Sequence, residues 1–516
     1  MKLVTAEIMQ QVDRKAILER GIPGLVLMEN AGRGCTSAIM DAYGPTGTAT
    51  IIAGKGNNGG DGFVIARLLS DQGWTAKVCV LARREQITGD ARTNLDRLPD
   101  TMLLFCPEPG MLARHAPLLK SSTVIIDALF GTGLASDLSG IHAEAVALVN
   151  ASGQPVVAVD IPSGVHGTTG GVLGSAVKAT MTVTFALAKQ GHVHYPGAEY
   201  CGKLQVVDIG IPADIMAEAE GCEFCDMAAA AALIRPRGRT SHKGSFGHSF
   251  IIAGSTGKTG AAAMAANSAV RAGSGLVTVA VPATVHPILE MKTTEAMTLP
   301  IADGGRGVLG SDALGLLLAE AATRSTAAIG PGLSWNAGTA SLVRSFVAEL
   351  AQPLVIDADG LNAVSEDVAI LLKREGRVTV LTPHPGEMAR MAGATTAAVE
   401  ADRLTVARDV ARKYKVHVIL KGARTVIAAP DGRVAINGSG NPGMASGGMG
   451  DVLTGAVTAL LAQGYEPFDA CCIAVFIHGH AADLVTAEKG EIGISAVDVQ
   501  ERLPYALKDL LTYNLK

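Results

Sequence analysis

Aromatic residues are scarce, 4% of the 516-residue chain with only two tryptophans, so its core must come from Ala, Val, Leu and Ile. Charge is also thin: 18% of residues, a net −5, and no block of one sign. A nucleic-acid partner is therefore not expected, because phosphate-backbone binding needs clustered Lys and Arg. No run of about 18 apolar residues stands out, so no membrane span is expected. Residues 1–20 mix Glu7, Asp13 and Glu19 with Lys and Arg and lack the apolar centre of a signal peptide. The eight cysteines are scattered, which fits free thiols in a reducing cytoplasm. Cys222 and Cys225 form a C-x-x-C, but no second pair lies at zinc-site spacing.

Glycine is in excess, with 61 residues. At this length, and with 48% hydrophobic residues, two sizeable domains are expected. Short Val/Ile-rich runs alternate with helical segments, the pattern of βαβ units and a parallel sheet. In the first half the runs are 49–53, 77–82, 102–105, 123–127, 155–160, 181–185 and 203–207. In the second they are 250–253, 276–281, 326–329, 353–357, 378–381, 416–420, 425–428 and 434–436, with a hairpin over Pro430-Asp431-Gly432. Residues 1–40 read as helical, with Ile8, Val12, Ile17 and Leu18 on one face. Periodicity fades after Val207, and the boundary is expected near 215–225. The basic run Arg235-Pro236-Arg237-Gly238-Arg239 reads as a solvated linker face.

Ligands of such sheets bind at the carboxyl ends of strands, which directs attention to the residues just beyond each run. Gly54, Gly56 and Gly59 satisfy G-x-G-x-x-G, but the acidic residue expected about twenty positions later is missing, and Arg83-Arg84 stands there. A plain dinucleotide dehydrogenase thus fails a test. Asn57, Asn58 and Asp61 instead add polar groups to the loop. Asp127 and Asp160 end two further strands, each followed by Gly-containing loops. Asn58, Asp127 and Ser163 offer hard oxygen ligands for a cation. Asp160 is the best-placed proton-transfer group.

In the second half, Gly254-Ser255-Thr256-Gly257-Lys258-Thr259 fails the P-loop spacing, because Ile252 stands where the first Gly belongs. Gly330-Pro331-Gly332, Asp357-Ala358-Asp359-Gly360, Thr382-Pro383-His384-Pro385-Gly386-Glu387 and Lys421-Gly422-Ala423-Arg424-Thr425 each follow a strand run. Lys421 has the charge to meet a phosphate, and Glu387 the oxygens to meet Mg²⁺. The stretch from Gly440 to Gly455 is a Gly-rich loop running into a helix, with Asp451 at the helix start and Val452, Leu453, Ala456, Val457 and Leu460 at helical spacing. Inward-turned amides and a helix N-terminus make an anion hole with an acid/base group at its lip.

Met28-Glu29-Asn30-Ala31, the 57–62 loop, residues 127–134, residues 160–164 and His194-Tyr195-Pro196-Gly197 resemble the NAD(P)H-hydrate epimerase family, whose fold is Rossmann-like. The 382–387, 421–425 and 440–455 motifs resemble the ADP/ATP-dependent NAD(P)H-hydrate dehydratases of the ribokinase-like superfamily. His384 stands where many sugar kinases of that superfamily have Asn. The fold implied is α/β in two domains, an N-terminal Rossmann-like three-layer domain over 1–217 and a C-terminal ribokinase-like α/β domain over 222–516.

The resemblance implies that Asn57, Asn58, Gly59, Gly60, Asp61, Gly131, Thr132, Gly133, Leu134, Ala135, Ser136, Asp137 and Asp160 contact the hydrated nucleotide in the first domain. It implies that Asn58, Asp127 and Ser163 hold potassium. In the second domain it implies that Ala261, Gly332, His384 and Asp451 contact the S hydrate, NADHX or NADPHX. Lys421, Gly422, Ala423, Arg424, Thr425 and Gly450 would hold ADP or ATP, with Mg²⁺, and Asp451 would act as base. The implied protein interconverts R and S hydrates and dehydrates the S form. It is expected to be a cytoplasmic homo-oligomer. A ribokinase-like small-molecule kinase is the alternative enzyme. A non-enzymatic scaffold would be expected to have decayed polar loops and a basic surface, neither of which is found.

Overall fold

A computed structural model describes residues 1–514. The chain divides into two compact units, Lys2–Gly221 and one beginning at Cys222.

The first unit contains β1 (Lys2–Val4), β2 (Thr48–Ala53), β3 (Thr75–Val80), β4 (Leu103–Phe105), β5 (Val124–Ala128), β6 (Val156–Val159), β7 (Met181–Phe185), β8 (Ala188–Lys189) and β9 (Lys203–Val207). Its seven-stranded sheet runs β4-β3-β2-β5-β6-β7-β9, with every pair parallel. The central strands β5, β6 and β7 are buried on both faces, which is why they read as continuous apolar runs. Strand order reverses between β2 and β5, where Ala53 pairs with Ala128. That reversal opens a crevice beyond the carboxyl ends, where such sheets bind ligands. The short β1 pairs in parallel with β8.

The first helix, Ala6–Leu18, buries Ala6, Met9, Val12 and Ala16. Ile17 and Leu18, expected on one face with Ile8 and Val12, are exposed. Met9, Val12 and Ala16 keep the i, i+3, i+7 spacing of one stripe, and the last two residues rotate off it. The expected all-helical start is corrected too, since β1 precedes this helix.

The second unit contains β10 (Cys222–Cys225), β11 (His248–Ile252), β12 (Leu276–Pro282), β13 (Met297–Ile301), β14 (Thr326–Ile329), β15 (Leu354–Ile356), β16 (Thr379–Leu381), β17 (His417–Leu420), β18 (Val426–Ala428) and β19 (Val434–Asn437). They run β13-β12-β11-β14-β15-β16-β17-β18-β19-β10, antiparallel only at β17-β18 and β18-β19. Order reverses between β11 and β14, where Ile252 pairs with Ile329. The expected hairpin and mixed sheet are present. β10 and β13 were missed, the first read as a C-x-x-C motif and the second interrupted by Pro300.

Helices Thr259–Arg271, Met449–Ala462, Pro467–Lys489 and Ala496–Tyr513 share the main core of this unit. Small residues set their spacing: a Cβ on Gly455 would lie 2.2 Å from the Ala265 carbonyl oxygen. Helix Pro467–Lys489 is long and apolar enough by composition to cross a membrane, which the sequence reading overlooked, but 72% of its apolar window is packed inside the unit. Arg235 and Arg237 are exposed, as expected, and their guanidinium groups lie 3.9 and 3.7 Å over the rings of Tyr465 and Phe246.

Candidate functional site

Each unit carries a site at its strand-order reversal. In the first, the chain leaves β2, turns through Gly54, and enters helix Asn57–Asp71. A Cβ on Gly59 would sit 2.0 Å from the Gly54 carbonyl oxygen, so glycine is needed for the turn to close. Asn58, Gly59, Gly60 and Asp61 are buried, while Asn57 is exposed. Of the following loop, Gly131, Thr132 and Leu134 are half-buried, and Gly133, Ala135, Ser136 and Asp137 are exposed. The Cβ position of Gly131 is 3.2 Å from Asp160 Oδ2 and 3.3 Å from Asn58 Oδ1, so these residues converge.

Asp160 has the left-handed φ of +66°. Its Oδ1 accepts from Lys189 Nζ at 2.6 Å and Thr184 Oγ1 at 3.0 Å. Lys189 also donates to Thr184 Oγ1 at 2.9 Å and is 1% exposed. Burial pushes the Asp160 carboxyl up, but the Lys189 ammonium and these hydrogen bonds outweigh it and hold the group below its ordinary range. His192 Nδ1 accepts from the Lys189 amide at 3.0 Å, so its Nε2 carries the proton and donates to the Asp160 carbonyl at 2.9 Å. Burial drives this imidazole down to about 4 and keeps it neutral. Burial raises Asp61 well above the carboxylate range, with the Asp160 charge adding to it. Sequence reasoning missed Lys189, Thr184 and His192; the only signal was their polar character beside a strand end.

Asp127 is fully buried, and its Oδ1 accepts from Ser163 Oγ at 2.6 Å while Oδ2 accepts from Ser163 N at 2.8 Å. These two expected cation ligands are therefore neighbours. Asn58 Oδ1 faces Gly131 instead, and its buried Nδ2 has no partner among the described residues.

In the second unit, Lys421 follows β17 and Asp357 follows β15. Lys421 Nζ donates to Asp357 Oδ1 at 2.9 Å, and Thr454 Oγ1 donates to Asp357 Oδ2 at 2.8 Å. Glu387 Oε2 is 3.9 Å from the same ammonium. The Cβ position of Gly450 is 3.3 Å from Lys421 Nζ and 3.7 Å from Asp357 Oδ2. Strand ends 15 and 17 thus meet the first turn of helix Met449–Ala462. Asp451 lies in that turn, with a carboxylate free of hydrogen bonds among the described residues. Burial first, then repulsion from Asp357, pushes its pKa up to about 7. Asp357 was noted in sequence only as a strand end; its central position is a tertiary fact.

The other expected residues surround this centre. His384 caps helix Pro385–Ala392, its Nδ1 accepting from Gly386 N at 3.0 Å, while Glu387 Oε2 accepts from His384 N at 2.8 Å. Burial lowers the His384 pKa, and Lys421 lowers it further. The Cβ position of Gly332 is 3.0 Å from Ala261 Cβ, so these two small residues pack together. Gly422, Ala423, Arg424 and Thr425 form the turn between β17 and β18, with Thr425 Oγ1 donating to the Gly422 carbonyl at 3.0 Å. Arg403 holds this turn from below, donating to the Leu420 and Lys421 carbonyls at 3.0 and 3.1 Å. Asp483 fixes the Gly-rich loop, accepting from Gly440 N at 3.0 Å and Asn441 Nδ2 at 2.8 Å. Among the described residues no three His, Cys, Asp or Glu side chains are grouped to hold a metal.

Residues 249–505 match the family model described as NAD(P)H-hydrate dehydratase, and residues 24–191 that described as YjeF-related protein N-terminus. The bifunctional NAD(P)H-hydrate repair enzyme of Moorella thermoacetica is 44% identical over 517 residues, covering 99% of this chain and 97% of its own length. That of Thermofilum pendens is 38% identical, covering 99% of this chain and 97% of its own. The chain belongs to the bifunctional NAD(P)H-hydrate repair enzymes. Among solved structures, the ADP/ATP-dependent NAD(P)H-hydrate dehydratase of Bacillus subtilis, co-crystallised with ATP/Mg²⁺, is 29% identical and covers 56% of this chain and 99% of its own, with a TM-score of 0.48. As a member of its family, the repair enzyme combines hydrate epimerase and nucleotide-dependent hydrate dehydratase activities.

Proposed function

We propose that the dehydratase centre of this repair enzyme is built from Asp451, Gly450, Lys421 and Asp357, and the epimerase centre from Asp160 and Lys189. The observation that carries the first assignment is Asp451: a half-buried carboxylate at a helix N-terminus, without a hydrogen-bonding partner among the described residues, whose pKa lies near neutrality. A general base works best with such a pKa. Asp451 takes the proton from the C6 hydroxyl of the S hydrate. The oxygen attacks the terminal phosphoryl group of ADP or ATP, whose growing charge is met by the amides of 447–450 and by Lys421. The C6–O bond then breaks with phosphate as leaving group, loss of the ring proton restores the dihydronicotinamide, and AMP or ADP is released. Ala261, Gly332 and His384 contact the hydrate, and Gly422, Ala423, Arg424 and Thr425 the nucleotide.

In the first unit, Asn57 to Asp61 and Gly131 to Asp137 bind the hydrate beside Asp160. Asp160, kept ionised by Lys189, receives the proton of the water that re-adds at C6. Potassium fits Asn58, Asp127 and Ser163 by donor chemistry: a carboxylate, a hydroxyl and an amide. The Asn58 Nδ2, unpartnered among the described residues, supports this, since turning the amide over replaces that buried donor with a ligand oxygen. Bound there, potassium would supply positive charge for the pyrophosphate. Mg²⁺ would ride on the nucleotide phosphates, with Glu387 holding it directly or through water. We take the protein to be a cytoplasmic homo-oligomer.

The test is an R/S hydrate mixture with ADP or ATP, followed at 340 nm with and without K⁺. Full conversion with nucleotide, slowed for the R form alone without K⁺, is expected. Equal slowing of both forms would overturn the potassium assignment. A stable phosphate ester in place of free phosphate would favour a kinase.

A further inference from the structure

The reaction at Asp451 engages only the nicotinamide end of a dinucleotide. Its other half, an adenosine phosphate, takes no part in that chemistry and needs a surface of its own, and one next to Gly332 has the chemistry to receive it. Of the two tryptophans, Trp74 is 3% exposed in the first unit, whereas Trp335 is 59% exposed in the second. This solvent-facing indole is held in place. Its Nε1 donates to Glu366 Oε1 at 3.1 Å, and the preceding Ser334 amide donates to Asp359 Oδ2 at 2.9 Å. The edge of the ring is satisfied, and a face is left open.

Two cations share the Asp359–Asn362 anchor of this segment, Lys258 ion-paired to Asp359 and Arg390 bonded to Asn362. Lys258 Nζ is 3.0 Å from Asp359 Oδ2, and the Lys258 Cβ is 3.0 Å from the Cβ position of Gly332. Arg390 donates to Asn362 Oδ1 at 2.7 Å, and Asn362 donates to Asp359 Oδ1 at 3.4 Å. Arg390 is exposed, has no carboxylate in ion-pair reach among the described residues, and sits on the helix capped by His384. A guanidinium held by an amide keeps its charge available for phosphate. His384, Arg390, Asn362, Asp359, Lys258 and Trp335 therefore form one continuous rim.

We infer that this rim is the subsite for the adenosine-phosphate half of the hydrate, with Trp335 stacking on the adenine and Arg390 and Lys258 meeting the phosphates. The inference rests on the dehydratase reading above. It assigns the rim to the hydrate and not to the adenine nucleotide, which the Lys421 turn receives.

The experiment compares two substrates in the whole protein: the S hydrate of NADH, and the same hydrate of reduced nicotinamide mononucleotide, which lacks the adenosine half. Trp335→Ala is expected to raise KM for the dinucleotide about tenfold, the usual scale of base–aromatic stacking, with kcat within about twofold. KM for the mononucleotide and for ADP stays at the wild-type value, and Trp335→Phe recovers most of the loss. Arg390→Gln raises KM for the dinucleotide more than for the mononucleotide. In wild type, the S hydrate of NADH without ADP quenches the exposed indole emission. An equal KM change for both hydrates, no change for the dinucleotide, or a rise in KM for ADP would overturn the subsite. Wild-type protein inert toward both hydrates would overturn the dehydratase reading on which it stands.

Discussion

Lys421 and Asp357, 64 residues apart in sequence, form an ion pair of 2.9 Å under the first turn of the helix that carries Asp451. The pair has two opposite effects on that carboxylate. Asp357 repels its charge and raises the pKa, and Lys421 lowers it less than burial and Asp357 raise it. Lys421 is thus partly neutralised before any phosphate arrives, a relationship its sequence motif does not disclose.

Asp451→Asn should reduce ADP-dependent dehydration of the S hydrate by about 10²–10⁴-fold, the scale of a lost general base. R/S exchange, followed by NMR without nucleotide, should be unchanged. Near-normal dehydration in this variant would remove Asp451 from the chemistry.

The same substitution should stabilise the protein in a pH-dependent way. Asp451 has a folded pKa of about 7, above its unfolded value, so the protonated form favours the fold and that stability is lost as pH rises through 7. Asn mimics the protonated acid. The Tm advantage of Asp451→Asn should be absent at pH 4, grow towards pH 7 and level off above it. A uniform advantage across that range would contradict the buried-charge account.

Dehydration by the wild type should rise with pH through about 7, where Asp451 becomes the competent base. Asp357→Asn removes the nearest like charge and should move this limb to lower pH while reducing the maximum rate. The pH profile of kcat/KM for the S hydrate decides it. An unmoved limb would mean that another group titrates there.

Lys189→Met should abolish epimerisation and destabilise the protein by about 3–5 kcal/mol, because it leaves the buried Asp160 charge without its partner. The Asp160 carboxyl, now depressed by Lys189, should rise. In wild type its stabilising contribution is present above the unfolded carboxylate pKa and lost as pH falls through the lower folded value, so acid unfolding of the variant should be less steep in that range. Adding Asp160→Asn should restore part of the Tm, measured by thermal melting, without restoring activity.

Gly448 caps helix Met449–Ala462 with φ of +92°, and a Cβ there would lie 2.7 Å from Met264 Cε and Sδ. Gly448→Ala should cost about 1–3 kcal/mol in strain and slow dehydration while sparing epimerisation. Unchanged dehydration would show that the anion hole tolerates a shift of the helix start.

Much of this was legible in the chain itself. Alternating apolar runs gave the parallel sheets, because a strand buried on both faces must be apolar throughout. Runs 181–185, 203–207 and 326–329 match β7, β9 and β14 end to end. Glycines marked the tight loops at strand ends, and the 440–455 pattern marked a helix start beside an acid. These are local properties, set by backbone sterics and side-chain periodicity. What tertiary structure decided is which strand ends become neighbours. Only sheet order brings Asp357 to Lys421 and Thr454, or Lys189 to Asp160, and burial together with that proximity sets the ionisation of Asp451 and Asp160. Exposure was decided there as well: Ile17 and Leu18 look like core residues in sequence and face solvent, while Lys189 looks like a surface residue and is buried. The anion-hole motif could be read in one dimension; the charge on its carboxylate could not.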